Sequence, residues 1–162
     1  MTSNPTMSIN VLKSVLQNAG VVVVGFAFAF AATEIDSLLG FIGFRSTIGQ
    51  IAGGVLLITG FAIRVWATSL FYERHMAVIK LAPQKHLITT GPYRFSRNPL
   101  YLGGNVFVFL GAALFLGSPA GIVLTGMNII AVDFMIRREE RQLCMSFGEE
   151  WVSYRNRVRR WL

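Results

Sequence analysis

The longest stretch of this chain without a charged side chain runs for 35 residues, from Asn98 to Val132. A helix that crosses a bilayer needs about 20 mainly apolar residues, so this stretch is too long for one ordinary span and long enough for two short ones. The segment GSPAG at 117–121 interrupts it, and Gly-Ser-Pro favours a turn over a continuing helix. The sequence therefore predicts two transmembrane helices, near 100–116 and 119–138, joined as a tight hairpin.

Two further uncharged stretches precede the hairpin. One covers Ser14 to Thr33, and the other begins at Ser46 and stays apolar, apart from Arg64, as far as Phe71. They predict helices near 12–33 and 48–71. A secretory signal peptide is the alternative for the first, because it contains Ala-x-Ala patterns that resemble cleavage sites. Its basic flank offers only Lys13, which favours a retained span.

The composition agrees with a membrane protein. Apolar residues make up 53% of the chain and charged residues 14%, against about 25% charged in an average soluble domain. We therefore predict one all-α polytopic membrane domain over residues 1–162. The single Cys144 and the two histidines, His75 and His86, are too few for a disulfide or a thiolate or histidine metal site.

The basic residues indicate an orientation. Of 15 Lys and Arg residues, 13 lie in the N-terminus, the connecting segment 72–99 or the C-terminus, and only Arg45 and Arg64 do not. Four spans bring these three parts to the same side, and the positive-inside rule assigns that side to the cytoplasm, so a bacterial protein would lie in the inner membrane. The loop 34–47 is expected outside. The net charge of +7 then reflects membrane topology and not nucleic-acid binding.

The C-terminal segment 139–162 has apolar or aromatic residues at 147, 151, 154, 158 and 161. This helical spacing, with charges between, predicts an amphipathic helix at the membrane interface. A solvated helix packed on the connecting segment is the alternative.

Two charged residues fall within the predicted spans, Arg64 in the second and Asp133 in the fourth. Charges inside a membrane usually face a partner or an aqueous site. One hypothesis is that the two neutralise each other, and the alternative for Arg64 is that its side chain extends to the interface. Gly49 and Gly53 form a Gly-x-x-x-Gly pattern, which permits close helix packing.

The densest polar chemistry lies in KHLITTGPYRFSRNPLYLGG (85–104) and RREERQLCMSFGEEWVSYRNRV (137–158). The RREER cluster alone is typical of a stop-transfer signal, although its two glutamates contribute little to orientation. Together with IRVWATSLF (63–71), these motifs resemble the isoprenylcysteine carboxyl methyltransferase and phospholipid methyltransferase superfamily over about residues 55–160. These are membrane enzymes that use S-adenosylmethionine.

The resemblance implies a cofactor pocket at the cytoplasmic surface, between the connecting segment and the glutamate pair. Carried over by motif, the S-adenosylmethionine-binding residues are His86, Leu87, Ile88, Tyr93, Arg94, Asn98, Pro99, Leu100, Tyr101 and Glu139. Either Arg94 or Arg97 could bind the cofactor carboxylate with paired donors. The predicted catalytic residues are Arg97, Asn98, Tyr101 and Glu140. A carboxylate acceptor would need no base, whereas an amine would need a proton acceptor such as Glu140 or Asp133.

Two departures bear on the methyl acceptor. Isoprenylcysteine methyltransferases usually have His where this chain has Asn98, and phosphatidylethanolamine methyltransferases have Asn there. The former also place a substrate-binding arginine where this chain has Met135, with Arg137 and Arg138 nearest. We therefore expect a lipid-like acceptor that enters from the bilayer and is not necessarily a prenylcysteine. The alternatives are a sterol-reductase-like enzyme that binds NADPH, and a non-catalytic scaffold that keeps the motifs.

Overall fold

A computed structural model of the chain describes residues 5–74 and 86–162. We number its helices α1 (Pro5–Leu39), α2 (Thr47–Glu73), α3 (Pro99–Leu116), α4 (Pro119–Phe147) and α5 (Glu149–Arg157), and a 3₁₀ turn covers Gly91–Arg94. No strand occurs within the described ranges. Helices α1 to α4 each contain a segment long and apolar enough to cross a membrane. The predicted all-α polytopic architecture is therefore confirmed.

The ends of two helices differ from the prediction. Helix α1 continues to Leu39, so Glu34 and Asp36 belong to it and not to a loop, and it ends before Gly40, whose φ is +70°. Helix α4 continues through the RREER cluster to Phe147, and Gly148 with φ +51° follows. Charged residues do not end a helix once it has left the membrane, because Arg and Glu are good helix formers. The separate C-terminal helix is accordingly shorter than 139–162.

The predicted hairpin between α3 and α4 is confirmed. Gly117 ends α3 in the left-handed conformation with φ +70°, which glycine adopts without steric cost. The Ser118 side chain accepts a hydrogen bond of 2.9 Å from the Gly121 N–H, and Pro119 occupies the first turn of α4. The chain thus returns to the side that α3 left, and the glutamates of α4 come back to the start of α3.

Asp36 attaches α1 to this hairpin. Its carboxylate is buried and accepts hydrogen bonds from the Ser118 hydroxyl at 2.5 Å and the Ala120 N–H at 2.8 Å. A carboxylate is favourable beside the unpaired N–H groups and the positive dipole end of a helix. The contact fixes α1 against α4 at the end of the bundle that faces away from the connecting segment.

Helices α2 and α3 pack backbone to backbone. A Cβ built at Gly53 would lie 2.5 Å from the Gly111 carbonyl oxygen, and one built at Gly60 would lie 2.5 Å from the Gly103 carbonyl oxygen. Gly53 of the Gly-x-x-x-Gly pattern therefore lies at a close approach of the two helices. Within α3, residues Leu102–Val108 form a π-helix, a wider turn that is frequent at functional sites.

Candidate functional site

A cavity of about 590 Å³ opens where α2, α3 and α4 meet the connecting segment and α5. Its wall combines side chains of the membrane spans with aromatic and charged groups of the segments at the same end of the bundle. It is lined by Gln17, Val21, Arg64, Phe71, Leu87, Ile88, Tyr93, Arg97, Asn98, Leu100, Tyr101, Asn105, Glu139, Glu140, Leu143, Trp151 and Tyr154.

The 3₁₀ turn at Gly91–Arg94 places Tyr93 in this wall. Gly91 has φ +60°, and a Cβ there would lie 2.8 Å from the Leu70 side chain, so a larger residue would be strained in both backbone and packing. Tyr93 is buried against Ile88 and Phe71, with 6.2 Å between the centroids of the Tyr93 and Phe71 rings. The turn is thereby fixed on the end of α2.

Glu139 and Glu140 both line the cavity, but they have different partners. The Tyr101 hydroxyl donates a hydrogen bond of 2.8 Å to Glu139 Oε1. Glu140 forms ion pairs with Arg97 at 3.1 Å and with Arg160 at 2.7 Å. Glu140 thus contacts two guanidinium groups, whereas Glu139 contacts the phenol of Tyr101.

Arg97 is enclosed between Glu140 and α5. Its guanidinium lies 5.7 Å from the centre of the Trp151 ring, within the range of cation–π attraction. Burial lowers the pKa of Arg97, and the Glu140 carboxylate acts in the opposite direction. Among the described residues, its buried Nε–H has no hydrogen-bond partner.

Residues after α5 bind the segment that precedes α3. The Arg97 N–H donates to the Arg159 carbonyl at 2.9 Å, and the Asn98 side-chain amide donates to the Arg160 carbonyl at 3.2 Å. The Ser96 hydroxyl donates to the same carbonyl at 3.1 Å. The last residues of the chain therefore hold the segment that carries Arg97 and Asn98.

Helix α5 supplies the aromatic part of the wall. Trp151 and Tyr154 are buried against Leu87 and the end of α4, and the Tyr154 hydroxyl donates to the Tyr93 carbonyl at 2.7 Å. Burial is the main cause that raises the pKa of Tyr93 and of Tyr154. Both phenols are therefore neutral at physiological pH. The alternative that this helix packs on the connecting segment agrees with these contacts.

Most residues predicted from the motifs meet at this cavity. Those that line it are Leu87, Ile88, Tyr93, Arg97, Asn98, Leu100, Tyr101, Glu139 and Glu140. The others do not. His86 and Arg94 are exposed and do not line the cavity, and the buried Pro99 begins α3 without lining it. Met135 is 55% exposed on the outer face of α4, and Arg137 pairs there with Asp133 at 2.8 Å.

The hypothesis that Arg64 and Asp133 neutralise each other is wrong. Arg64 donates to the Asn18 side-chain oxygen at 2.8 Å and to the Leu100 carbonyl at 2.6 Å. Asp133 instead pairs with Arg137 and with Arg160, the latter at 3.1 Å. Asp133 is near the end of the bundle where the C-terminal residues reach it, and Arg64 points from α2 toward α1 and α3.

Several lining residues were not predicted as site residues. They are Gln17, Val21, Arg64, Phe71, Asn105, Leu143, Trp151 and Tyr154. Trp151 and Tyr154 carried a signal in the helical spacing of the C-terminal segment. Gln17 and Val21 carried none, because apolar residues occur all around α1.

Comparison with protein families identifies the chain. A family model described as phospholipid methyltransferase matches residues 48–150, which is well over half of the sequence. The chain belongs to the phospholipid methyltransferase family. Comparisons with curated proteins and with solved structures gave no match.

The match to the phospholipid methyltransferase family covers most of the cavity wall but not all of it. Arg64, Asn98, Tyr101 and the glutamate pair lie inside the matched residues. Gln17 and Val21 of α1, and Trp151 and Tyr154 of α5, lie outside them. With four candidate spans and this family, the protein is an integral membrane methyltransferase by family.

Proposed function

We propose that this protein transfers a methyl group from S-adenosylmethionine to a lipid-like acceptor that enters the cavity from the bilayer. The observation that carries the proposal is the Tyr101–Glu139 hydrogen bond of 2.8 Å at a cavity walled by aromatic residues, where the membrane spans end. Family membership supports methyl transfer, and the cavity supports the choice of donor and acceptor.

The cavity residues fit the chemical groups of this donor. A volume of about 590 Å³ is in the range of small-molecule sites. Glu139 can accept hydrogen bonds from an ammonium group or a ribose diol. The rings of Tyr93, Trp151 and Tyr154 face a cavity in which a sulfonium cation would be favourable by cation–π attraction. When bound, S-adenosylmethionine supplies an electrophilic methyl group.

The protein contributes positioning and exclusion of water. Methyl transfer is an in-line displacement, so alignment of donor and acceptor supplies much of the rate. Tyr101 holds Glu139, and the C-terminal residues hold Arg97 and Asn98. Buried Tyr93 and Tyr154 keep the wall rigid. Arg97 and Asn98 thus help to position the donor as residues of a rigid cavity wall.

The ion pairs bear on which acceptor is used. An amine acceptor has to lose a proton, whereas a carboxylate acceptor does not. Glu140 is paired with Arg97 and Arg160, and Asp133 is paired with Arg137 and Arg160, so a substrate proton would compete with those contacts. We propose either a carboxylate acceptor or an amine whose proton is taken by another group.

Calorimetric titration of the purified protein with S-adenosylmethionine tests the proposal. Glu139→Gln should weaken binding about tenfold, because hydrogen bonds to charged groups are worth about 1.5–3 kcal/mol. Glu149→Gln is the matched control, since Glu149 is exposed at the start of α5 and does not line the cavity. Equal affinities for the two variants would remove Glu139 from the donor site.

Calorimetric titration also distinguishes the methyltransferase from the reductase and scaffold alternatives. Titration with NADPH should give no heat of binding for the wild-type protein, and a clear signal with NADPH alone would favour a reductase. Binding of neither compound would favour a scaffold. Radiolabelled methyl groups recovered in extracted membrane lipids would then establish transfer.

A further inference from the structure

Arg64 is a cation deep among the membrane spans. It lies nine residues before Glu73, the last residue of α2, or roughly 14 Å along the helix axis at 1.5 Å per residue. Its side chain lines the cavity. A charged group at such a depth is costly, and it usually faces a partner or an aqueous site.

The side chain is held in one orientation. Its Nε–H donates to the Asn18 side-chain oxygen, and its Nη1 donates to the Leu100 carbonyl. Asn18 is fixed in turn, because its amide donates to the Ser14 carbonyl and the Thr68 hydroxyl, each at 2.8 Å. Three helices thus position one guanidinium group.

Two glycines of α3 make room for it. A Cβ at Gly104 would lie 2.6 Å from Arg64 Nη1, and one at Gly103 would lie 2.8 Å from Arg64 Cγ. Both glycines belong to the π-helix Leu102–Val108. The wide turn and its two glycines therefore leave the space that the Arg64 side chain occupies.

No carboxylate neutralises Arg64 within the described ranges, and both of its hydrogen-bond acceptors are neutral oxygens. The other lining arginine, Arg97, is paired with Glu140. Arg94 is exposed and away from the cavity. Arg64 is thus the lining arginine whose charge is available to a ligand.

We propose that Arg64 binds the anionic oxygen group, a phosphodiester or a carboxylate, of the acceptor lipid. The proposal rests on the proposed function and adds the recognised group. The lining residues Gln17, Val21 and Asn105 belong, like Arg64, to membrane spans, so this part of the wall lies among the spans, where the proposed acceptor lipid would enter. Guanidinium groups bind such oxyanions with paired donors. The carboxylate of S-adenosylmethionine is the other source of an oxyanion, and the experiment distinguishes the two.

Lipid binding to the full chain in detergent micelles tests this. The probes are dihexanoylphosphatidylglycerol with an anionic phosphodiester, decanoate with a carboxylate, and uncharged dihexanoylglycerol. At least one anionic probe should bind the wild-type protein about tenfold more tightly than the uncharged probe, and Arg64→Gln should abolish that preference. Arg45→Gln is the matched control. Arg45 is exposed just before the first residue of α2, at the end of the bundle away from the cavity, so its loss should leave the preference unchanged.

Gly104→Ala provides a second variant that keeps the charge. The added methyl group must displace Nη1, so the preference for the anionic probe should fall several-fold even if Arg64→Gln does not fold. Retention of the full preference in both folded variants, or its absence from the wild-type protein, would overturn the proposal.

Titration with S-adenosylmethionine completes the test. Arg64→Gln should leave this affinity within about twofold of wild type. A large loss of S-adenosylmethionine affinity with unchanged lipid preference would assign the oxyanion to the donor and overturn the acceptor assignment. If the wild-type protein binds no S-adenosylmethionine yet shows a preference that depends on Arg64, the proposed function fails while the anion site stands.

Discussion

Arg160 contacts residues on both sides of the cavity. Its guanidinium pairs with Glu140 and Asp133 on α4, while its carbonyl accepts hydrogen bonds from Ser96 and Asn98. The Glu140 hydrogen bond is the main cause that raises the pKa of Arg160. One residue therefore joins the segment before α3 to the second half of α4, and it was not among the predicted site residues.

Replacing Arg160 should weaken the attachment of the C-terminal residues to α4. Because its side chain is 25% exposed, Arg160→Gln should cost only about 1 kcal/mol of unfolding free energy. It should weaken S-adenosylmethionine binding several-fold, since Glu140 and the C-terminal residues lose their shared contact. Arg159→Gln is the control, because Arg159 is exposed and contributes its carbonyl to the site. Calorimetry and thermal unfolding measure both quantities. Indistinguishable variants would contradict a role for the Arg160 side chain.

The residues of the site could be predicted from the sequence where the motif and the hairpin acted together. Asn98 and Tyr101 lie at the start of α3, Glu139 and Glu140 lie in the second half of α4, and a tight turn brings the two pairs to the same level. Arg64 could not be assigned a partner, because its orientation depends on Asn18 in a helix with no distinct apolar face. Arg94 does not line the cavity, because the 3₁₀ turn directs its side chain to solvent while the neighbouring Tyr93 is buried.

At the scale of elements, glycines decide how closely α2 and α3 approach. Gly53→Ala would place a methyl group 2.5 Å from the Gly111 carbonyl oxygen and 2.7 Å from the Phe115 nitrogen. Such overpacking typically costs about 1–3 kcal/mol. The neighbouring Gly54→Ala is the control, since a Cβ there meets no atom within 4 Å. Thermal unfolding in detergent should show a lower midpoint for Gly53→Ala and an unchanged midpoint for Gly54→Ala. Equal midpoints would contradict the close packing.

Element types were predictable, whereas element ends were not. Uncharged length identified four spans, and Gly117-Ser118-Pro119 identified the hairpin. Charge failed as a marker of helix ends, because α1 continues past Glu34 and α4 past Arg141 until glycines of positive φ follow. The π-helix at Leu102–Val108 had no sequence signal beyond its two glycines, since a wider turn depends on what packs against it.

At the scale of the whole molecule, the cavity and most of the described basic residues lie at the same end of the bundle. The ends of α2 and α4 and the start of α3 meet there, together with α5. The opposite end carries Asp36, Ser118 and the segment between α1 and α2. The distribution of Lys and Arg predicts that the cavity lies on the cytoplasmic side.

Single-cysteine labelling in whole cells tests the orientation. Cys144 is the only cysteine, so Cys144→Ser gives a clean background. Ile42→Cys, at a position 90% exposed between α1 and α2, should react with a membrane-impermeant maleimide in intact cells. Asn156→Cys, at an exposed position of α5, should react only after permeabilisation. The reverse pattern would contradict the positive-inside assignment. It would also place the cavity outside, where 13 of 15 basic residues would have crossed the membrane and the proposed donor would lack a cytoplasmic route to Glu139.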